Sequence, residues 1–456
     1  MRYSVFTLFF LLLHLPVIAQ QPPGRLHVSP DGRSLLHADG RPFFWLGDTG
    51  WELFHRLDAP EIKDYLDNRA AKGFTVIQAV VLAEMEGLTQ PNRYGEVPFV
   101  NNDPAKPNER YFSLVDSTAK WAAARGMYLG LLPTWGDKVT QLWGAGPVVF
   151  DSTKAYAYGR WLAARYKRQQ NIIWILGGDR PAQNDKSDWR PVWRGLAQGI
   201  ESILGKAALI TYHPSGGSSS SQWLHREAWL DFNMFQSGHG NGHDVAVWDF
   251  VKKDRSLSPA KPTLDAEPNY EDHPVSPWPK WNVDNGYFRD YDVRKQLYRS
   301  VFAGACGVTY GHHAVWQFMS ERVAAINYPD RGWRNALDRP GAFHAGILAK
   351  FMQQLALKER IPDLSFINIS QNTSATHAEA FRNGNGSVAA AYLPVGGDVE
   401  IVPGVLPAAS YRLSWFDPRK GVWREGGWLK KERMKATAPG SGPGNDWVLV
   451  LRAGGQ

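Results

Sequence analysis

Two carboxylate residues in the sequence follow runs that are typical of buried strands. Asp179 follows Ile172–Gly178, and Glu267 follows Lys261–Ala266, where Pro268 ends the run. Hydrolysis of a glycosidic bond needs two carboxyl groups beside that bond. One is protonated and donates to the leaving oxygen, and the other attacks the anomeric carbon or activates water. The apolar run before Asp179 predicts a raised pKa for its carboxyl, so we predict that Asp179 is the acid/base and Glu267 the nucleophile.

Other interpretations of these carboxylates stay open at this stage. A single carboxylate at a strand end is as often a helix cap or one half of an ion pair. Asp265 precedes Glu267 by two residues and therefore points to the same face of the strand. Its deeper position favours Glu267 as the nucleophile. Before Asp179, Gly177 and Gly178 are expected to let the backbone approach a substrate closely.

Polar and aromatic residues also follow the other apolar runs, where they could bind sugar hydroxyls or stack on a sugar ring. These candidate substrate-binding residues are Asp48, Trp51, Trp135, His213, Gln236, His239, His312 and Trp316. Each of them alone could equally be a structural loop residue, and Asp48 in particular could have a purely structural role.

The elements that must position these residues form a regular series. The apolar runs are Phe43–Leu46, Thr75–Leu82, Met127–Pro133, Ile172–Leu176, Ala207–Tyr212, Phe232–Gln236, Pro262–Ala266 and Gly307–Tyr310. Amphipathic segments lie between several of them, and this alternation predicts an α/β fold, a parallel (β/α)8 TIM barrel. A doubly wound open sheet is the alternative, but it should carry a Gly-rich phosphate loop after an early strand, which the sequence lacks. In a barrel the C-terminal strand ends share one face, so the candidates would meet in one cavity.

The sequence pattern changes near residue 355, where helical periodicity stops and short alternating runs begin. The runs Ser387–Leu393, Val399–Val402, Tyr411–Phe416, Gly421–Glu425 and Trp447–Leu451 predict a small antiparallel β-sandwich. At the other end, residues 1–19 have the basic start and short apolar run of a secretory signal peptide. We therefore predict a signal peptide over 1–19, a catalytic barrel over 20–355 and an accessory β-sandwich over 356–456. The protein is expected to be exported, to the periplasm or the extracellular space.

Composition excludes several other classes of function. The formal charge of +7 is scattered without a Lys/Arg block, which disfavours nucleic-acid binding. Beyond the N-terminal run, no stretch is apolar for the roughly 20 residues that a membrane span needs. Cys306 is the only cysteine, so neither an intramolecular disulfide nor a thiolate metal site can form.

Metal and serine-hydrolase chemistry are also disfavoured. Glycines interrupt the histidines near residue 240, and the adjacent His312 and His313 would point apart on a strand. No Gly-x-Ser-x-Gly elbow is present. We expect a carbohydrate substrate, no metal and no cofactor, and nothing in the sequence specifies an oligomeric state.

Several motifs resemble the apiosidases of glycoside hydrolase family 140 and the wider apiosidase-like barrel family of Bacteroidetes-type secreted proteins. The matching segments are Phe44–Trp51, Gly73–Gln78, Ile173–Asp179, Asp265–Pro268 and Gly304–Gly311. The resemblance spans residues 25 to about 350, and the rest resembles the collagen-binding-type β-domain that commonly follows this barrel. It implies a catalytic Asp after the fourth strand and a catalytic Glu after the seventh, which fall on Asp179 and Glu267. Because members differ in substrate, the resemblance supports a glycosidase better than an apiosidase.

The sequence as a whole therefore predicts a secreted glycosidase acting at chain ends of a complex plant polysaccharide, pectic polysaccharides included. A retaining mechanism is favoured because strands four and seven usually bring their carboxylates close together. Two other classes stay open. A carbohydrate-binding protein on a degenerate barrel predicts that the two carboxylates do not converge. An adhesin acting through the C-terminal domain predicts an exposed aromatic strip over residues 360–453.

Overall fold

The computed structural model describes residues 23–275, 281–369, 373–430 and 435–454, and the predicted signal peptide lies outside these ranges. Eight parallel strands form the centre of the larger domain. They are β1 (Trp45–Thr49), β2 (Val76–Val80), β3 (Tyr128–Leu132), β4 (Ile172–Gly177), β5 (Ile210–His213), β6 (Asn233–Gln236), β7 (Thr263–Asp265) and β8 (Gly307–Tyr310).

These strands form a nearly closed barrel. The sheet runs in the order β5-β4-β3-β2-β1-β8-β7-β6, and all of these neighbours are parallel. The barrel closes between β5 and β6, where the Asp231 N–H donates to the Ile210 carbonyl at 2.9 Å. A short antiparallel strand, Ser218–Ser219, adds a ninth member beside β6. The predicted (β/α)8 barrel is therefore confirmed.

A helix follows each barrel strand and packs on the outside of the sheet. The helices are α1 (Ala59–Ala71), α2 (Glu109–Ala124), α3 (Ser152–Arg165), α4 (Arg190–Leu204), α5 (Ser221–Leu224), α6 (Val247–Arg255), α7 (Asp290–Phe302) and α8 (Pro340–Leu355). Shorter helical segments cover Leu53–Arg56, Val100–Asn102, Gly136–Lys138, Gly205–Ala207, His313–Trp316 and Trp333–Ala336. Local sequence sets some of these boundaries. At the start of α1, for example, Asp58 and Glu61 form a reciprocal capping box.

Side chains on the barrel strands alternate between the lumen and the helix layer, as the period of a strand requires. On β1, Trp45 belongs to the cluster inside the barrel and Leu46 to a cluster beneath the helices. An N-terminal antiparallel meander of His27–Val28, Leu35–Leu36 and Pro42–Phe43 contributes further apolar side chains to the interior cluster. The strands are buried on both faces, which explains their continuously apolar sequences.

The C-terminal domain consists of antiparallel strands, as predicted. They are β9 (Ile361–Pro362), β10 (Ile367–Asn368), β11 (Glu379–Arg382), β12 (Val388–Leu393), β13 (Gly396–Ile401), β14 (Ser410–Asp417), β15 (Val422–Lys430), β16 (Lys435–Ser441) and β17 (Trp447–Ala453). One sheet has the order β9-β11-β12-β17-β14-β15 and the other the order β10-β13-β16. Strands β9, β10, β11 and β16 had not been predicted.

The C-terminal domain packs closely on the barrel. Its larger sheet shares an apolar cluster with α7 and α8, in which Tyr392 stacks on Tyr298 with ring centroids 4.8 Å apart. Phe416 packs on Phe351 in a tilted arrangement, with ring centroids 4.6 Å apart. In the part of the chain that the structure describes, no helix has the length and apolar character needed to cross a membrane.

Candidate active site

Asp179 lies in a sharp left-handed turn at the end of β4. Gly177, Gly178 and Asp179 have φ angles of +85°, +111° and +49°. A Cβ atom on Gly177 would lie 2.3 Å from the His213 carbonyl oxygen, and one on Gly178 would lie 2.8 Å from the Trp135 ring. These glycines therefore let the turn pack against its neighbours, whereas the sequence had suggested that they make room for substrate. The turn leaves the Asp179 side chain 27 % exposed.

Glu267 follows β7, where its side chain is 9 % exposed and lies between two histidine rings. His213 Nε2 lies 3.2 Å from Glu267 Oε2, and His239 Nε2 lies 3.3 Å from Glu267 Oε1. Burial acts to raise the pKa of Glu267, but the contacts with His213 and His239 outweigh it and lower the pKa below its usual value. The carboxyl is therefore held in the ionised form that a nucleophile needs.

One imidazole ring joins the two predicted catalytic residues. The Asp179 backbone N–H donates to His213 Nδ1 at 3.3 Å, so the ring proton is placed on Nε2, the atom that faces Glu267. Asp179 thus contacts one edge of His213 through its backbone N–H, and the Glu267 carboxylate contacts the opposite edge. Burial raises the pKa of Asp179, Arg180 opposes this, and the charge of Glu267 raises the pKa further. The two carboxyls are shifted in opposite directions, as an acid and a nucleophile should be.

Aromatic side chains surround this pair. The rings of Trp51, Trp135 and His213 pack against one another with centroids 5.2–5.7 Å apart. The Trp51 indole N–H donates to the Tyr270 hydroxyl at 2.8 Å, and Tyr270 in turn packs on His239 with centroids 4.4 Å apart.

Several buried polar atoms beside the carboxyls have no hydrogen-bond partner within the protein. Trp135 Nε1, Gln236 Oε1 and His239 Nδ1 are of this kind. Buried polar atoms are normally paired, so these atoms are suited to the hydroxyl groups of a bound sugar. Trp316 lies at the edge of the same cluster, and its indole N–H donates to His313 Nδ1 at 3.3 Å.

Two of the predicted substrate-binding residues are fully buried in internal contacts. Asp48 lies on the same side of β1 as Leu46, fully buried, where Arg69 Nε contacts its Oδ2 at 2.6 Å. His312 is also fully buried, and its Nε2 lies 3.2 Å from Asp272 Oδ2. Asp48 is thus held in an internal ion pair and His312 in an internal hydrogen bond, and their proposed role as sugar ligands stays a prediction.

The alternative nucleophile Asp265 faces the outside of the barrel, because its neighbours Leu264 and Ala266 belong to the interior cluster. It is 1 % exposed and accepts hydrogen bonds from the hydroxyl and backbone N–H of Ser237, at 2.6 and 3.2 Å. Burial raises the pKa of Asp265 to about 7, with the Ser237 contacts opposing this. A carboxyl that holds its proton near neutral pH cannot act as the nucleophile.

Four other residues of the site are not among the predicted catalytic or substrate-binding residues. The Trp143 indole N–H donates to Asp179 Oδ2 at 3.2 Å, and Arg180 Nη1 lies 3.2 Å from the same oxygen. Glu84 binds Arg180, and Tyr270 lies beside Glu267. Two of them had a local signal, since Arg180 directly follows the predicted acid and Tyr270 lies three residues after the predicted nucleophile.

Within the described ranges, no group of three or more His, Cys, Asp or Glu side chains is arranged to hold a metal ion.

A (β/α)8 barrel with two converging, oppositely shifted carboxyls at its C-terminal face has the architecture of a glycoside hydrolase. The family model described as "Apiosidase-like, catalytic domain" matches residues 29–359, and one described as a collagen-binding domain of a collagenase matches residues 361–452. The chain belongs to the apiosidase-like family and is a glycoside hydrolase.

Solved structures agree with this assignment. A glycoside hydrolase family 5 protein from Bacteroides vulgatus is 33 % identical, over 94 % of this chain and 93 % of that one, with a TM-score of 0.85. A second structure, titled glycoside hydrolase, is 32 % identical over 95 % of this chain and 98 % of that one, also with a TM-score of 0.85. No curated protein gives a match to this chain.

The contact between His239 and Glu267 leads to a prediction about pH dependence. The nucleophile must be ionised, so its lowered pKa keeps the enzyme active into acidic solution. His239→Phe keeps a ring but removes this contact, so the pKa of Glu267 should rise and the acidic limb of the kcat/KM profile should move up by about one pH unit. His243→Phe is the matched control, because His243 lies on the same loop but pairs with Asp292. An acidic limb that is the same in both variants would contradict the assigned role of His239.

Proposed function

We propose that the protein is an exported, retaining glycosidase that removes a terminal sugar from a complex plant polysaccharide, with pectic polysaccharides among the candidates. The observation that carries this proposal is the pairing of Asp179 and Glu267 across His213 with opposite pKa shifts. Membership of the apiosidase-like family supports hydrolysis of a glycosidic bond, and the choice of a plant polysaccharide follows from the resemblance to apiosidases. The signal-peptide pattern of residues 1–19 supports export.

The proposed reaction proceeds in two steps. First, Glu267 attacks the anomeric carbon while Asp179 donates its proton to the departing glycosidic oxygen, which forms a glycosyl–enzyme ester and releases the leaving group. Asp179, now ionised, then takes a proton from water as that water attacks the anomeric carbon. Glu267 leaves as a carboxylate, and the sugar is released with its original anomeric configuration. Both residues return to their starting protonation states.

Sugar release from a panel of complex plant polysaccharides, pectic ones included, tests this proposal. The mature protein should release a single kind of monosaccharide, identified by chromatography. Proton NMR in the first minutes should show the anomer that the substrate contained. Release of the opposite anomer would show that the mechanism is inverting. Binding of a glycan without any hydrolysis would favour the non-catalytic carbohydrate-binding protein instead.

The C-terminal domain gives little support to the adhesin hypothesis. Trp423 and Trp428 on β15 are 36 % and 55 % exposed. The Trp423 indole N–H, however, donates to Gln354 on α8 at 3.2 Å, and its ring packs on Phe351. One of the two exposed tryptophans is therefore part of the join to the barrel.

A further inference from the structure

A buried arginine connects the acid/base to a third carboxyl group. Arg180 has no exposed side-chain surface, and its Nη1 lies 3.2 Å from Asp179 Oδ2. Its Nη2 lies only 2.6 Å from Oε1 of Glu84, which comes from the loop after β2. A single guanidinium thus lies between two carboxyl groups, and it is nearer to Glu84.

The position of this guanidinium is fixed by its other contacts. Arg180 Nη1 donates to the Asp179 carbonyl and Nη2 to the Trp143 carbonyl, both at 2.8 Å. The Trp143 ring covers the guanidinium with its centroid 4.2 Å away. Because Arg180 cannot turn towards solvent, its charge acts on both carboxyl groups and must be balanced locally.

Charge balance indicates how many protons this unit holds. An arginine, which is always positively charged in a protein, and two ionised carboxylates carry a net charge of −1. The unit becomes neutral when it holds one proton. The shorter contact to Arg180 stabilises ionised Glu84, so the proton is left on Asp179.

We propose that Glu84, Arg180 and Asp179 form one unit with a single shared proton, in which Glu84 takes up the charge of Arg180 and thereby keeps Asp179 protonated. Glu84 is then a positioning residue that acts on the acid/base through Arg180. This inference rests on the proposed role of Asp179 as the acid/base.

Other charged and titratable groups face this unit. Asp137 and Lys138 from the loop after β3 pair with each other at 2.8 Å, and Lys138 also donates to the Ala83 carbonyl at 2.9 Å. Tyr212 and His213 from β5 and Glu267 from the end of β7 lie on the other side of Asp179. Burial raises the pKa of Glu84 to about 7 and the charge of Asp179 raises it further, whereas Arg180 opposes both. Glu84 therefore competes with Asp179 for the single proton, and its short contact with Arg180 is what favours its ionised form.

Glu84→Gln removes the charge of Glu84 and keeps the size of its side chain. The charge of Arg180 then falls on Asp179 alone, which loses its proton at lower pH. The basic limb of the kcat/KM profile should therefore move about one pH unit towards acid, with about a tenfold loss at pH values above the limb. Activity on the acidic side should stay within about twofold of wild type, and Glu84→Asp, which retains the charge, should keep the wild-type limb.

Glu271→Gln is the matched control. Glu271 is also a buried glutamate whose pKa burial raises to about 7, but it accepts hydrogen bonds from Tyr310 and the Gly341 N–H, away from Asp179. Its replacement should leave the basic limb in place. An unchanged limb in Glu84→Gln, or an equal loss of activity at every pH, would overturn the proposal.

A second measurement does not depend on hydrolysis. Water-soluble carbodiimide with an amine nucleophile modifies protonated carboxyl groups, and mass spectrometry maps the sites as a function of pH. In wild type, Asp179 should be modified at higher pH than Glu84, and Glu84→Gln should lower the midpoint for Asp179. Modification of Glu84 in preference to Asp179 would overturn the inference even where Glu84→Gln does not fold. If no glycan is hydrolysed, the proposed function fails while this labelling still tests the shared proton.

Discussion

Glu267→Gln is expected to abolish turnover while the protein stays folded and still binds its glycan. The amide has the shape of the carboxyl, so the cluster around His213 and His239 can persist, but it cannot attack the anomeric carbon. The loss in kcat should exceed the roughly 10²–10⁴-fold that removal of proton transfer alone costs. Sugar release measured under saturating substrate, together with glycan binding by calorimetry, checks this result.

Two companion variants make the result specific. Asp179→Asn should lower kcat by about 10²–10⁴-fold on natural linkages and much less on substrates whose leaving group departs without a proton. Asp265→Asn is the matched control on the same strand, because Asp265 is hydrogen-bonded to Ser237 and turned away from the site. Activity that survives Glu267→Gln but not Asp265→Asn would show that the nucleophile has been misassigned.

The strands were predictable from sequence because each is a short apolar run between amphipathic segments. The predicted Thr75–Leu82 and Gly307–Tyr310, for example, correspond to β2 and β8. The direction of individual side chains was not predictable. A strand that is buried on both faces shows no polar alternation, so nothing in the run around Leu46 indicates that Asp48 faces the helices. The sequence alone therefore could not show that Asp48 pairs with Arg69.

The predicted catalytic pair and most of its neighbours come from strand ends. A barrel brings these ends to one face independently of the loop conformations. Residues that reach the site from loops gave a weaker signal. Trp143 contacts Asp179 from a Gly-rich loop after β3, and Glu84 contacts Arg180 across 96 residues of sequence. Such pairings depend on loop conformations that no local periodicity encodes. In the C-terminal domain, β16 was missed for a related reason: Lys435–Ser441 contains Pro and Gly and buries only small alanines.

A second large effect is expected where the C-terminal domain joins the barrel. Arg294 on α7 forms two hydrogen bonds to Asp446, from Nε at 2.8 Å and from Nη2 at 2.7 Å. Tyr392 donates to the same carboxylate at 2.9 Å, and both members of the ion pair are almost completely buried. Arg294→Met would leave the Asp446 carboxylate buried without its counter-charge. This variant should lower the free energy of unfolding by about 3–5 kcal/mol, measured by denaturant titration.

The double variant Arg294→Met/Asp446→Leu should recover most of this loss, because a buried ion pair can be replaced by apolar side chains at little cost. Arg412→Met provides the control: Arg412 and Glu425 form an equally close pair at 2.8 Å, but both side chains are more than half exposed. That variant should change stability by no more than about 1 kcal/mol. Equal losses in Arg294→Met and Arg412→Met would show that the join contributes nothing beyond a surface contact. A large loss confined to Arg294→Met, seen as one cooperative transition, would instead identify the C-terminal domain as a structural support for α7 and α8. The C-terminal domain would then belong to the same cooperative core as the barrel. A binding module that folds separately would not.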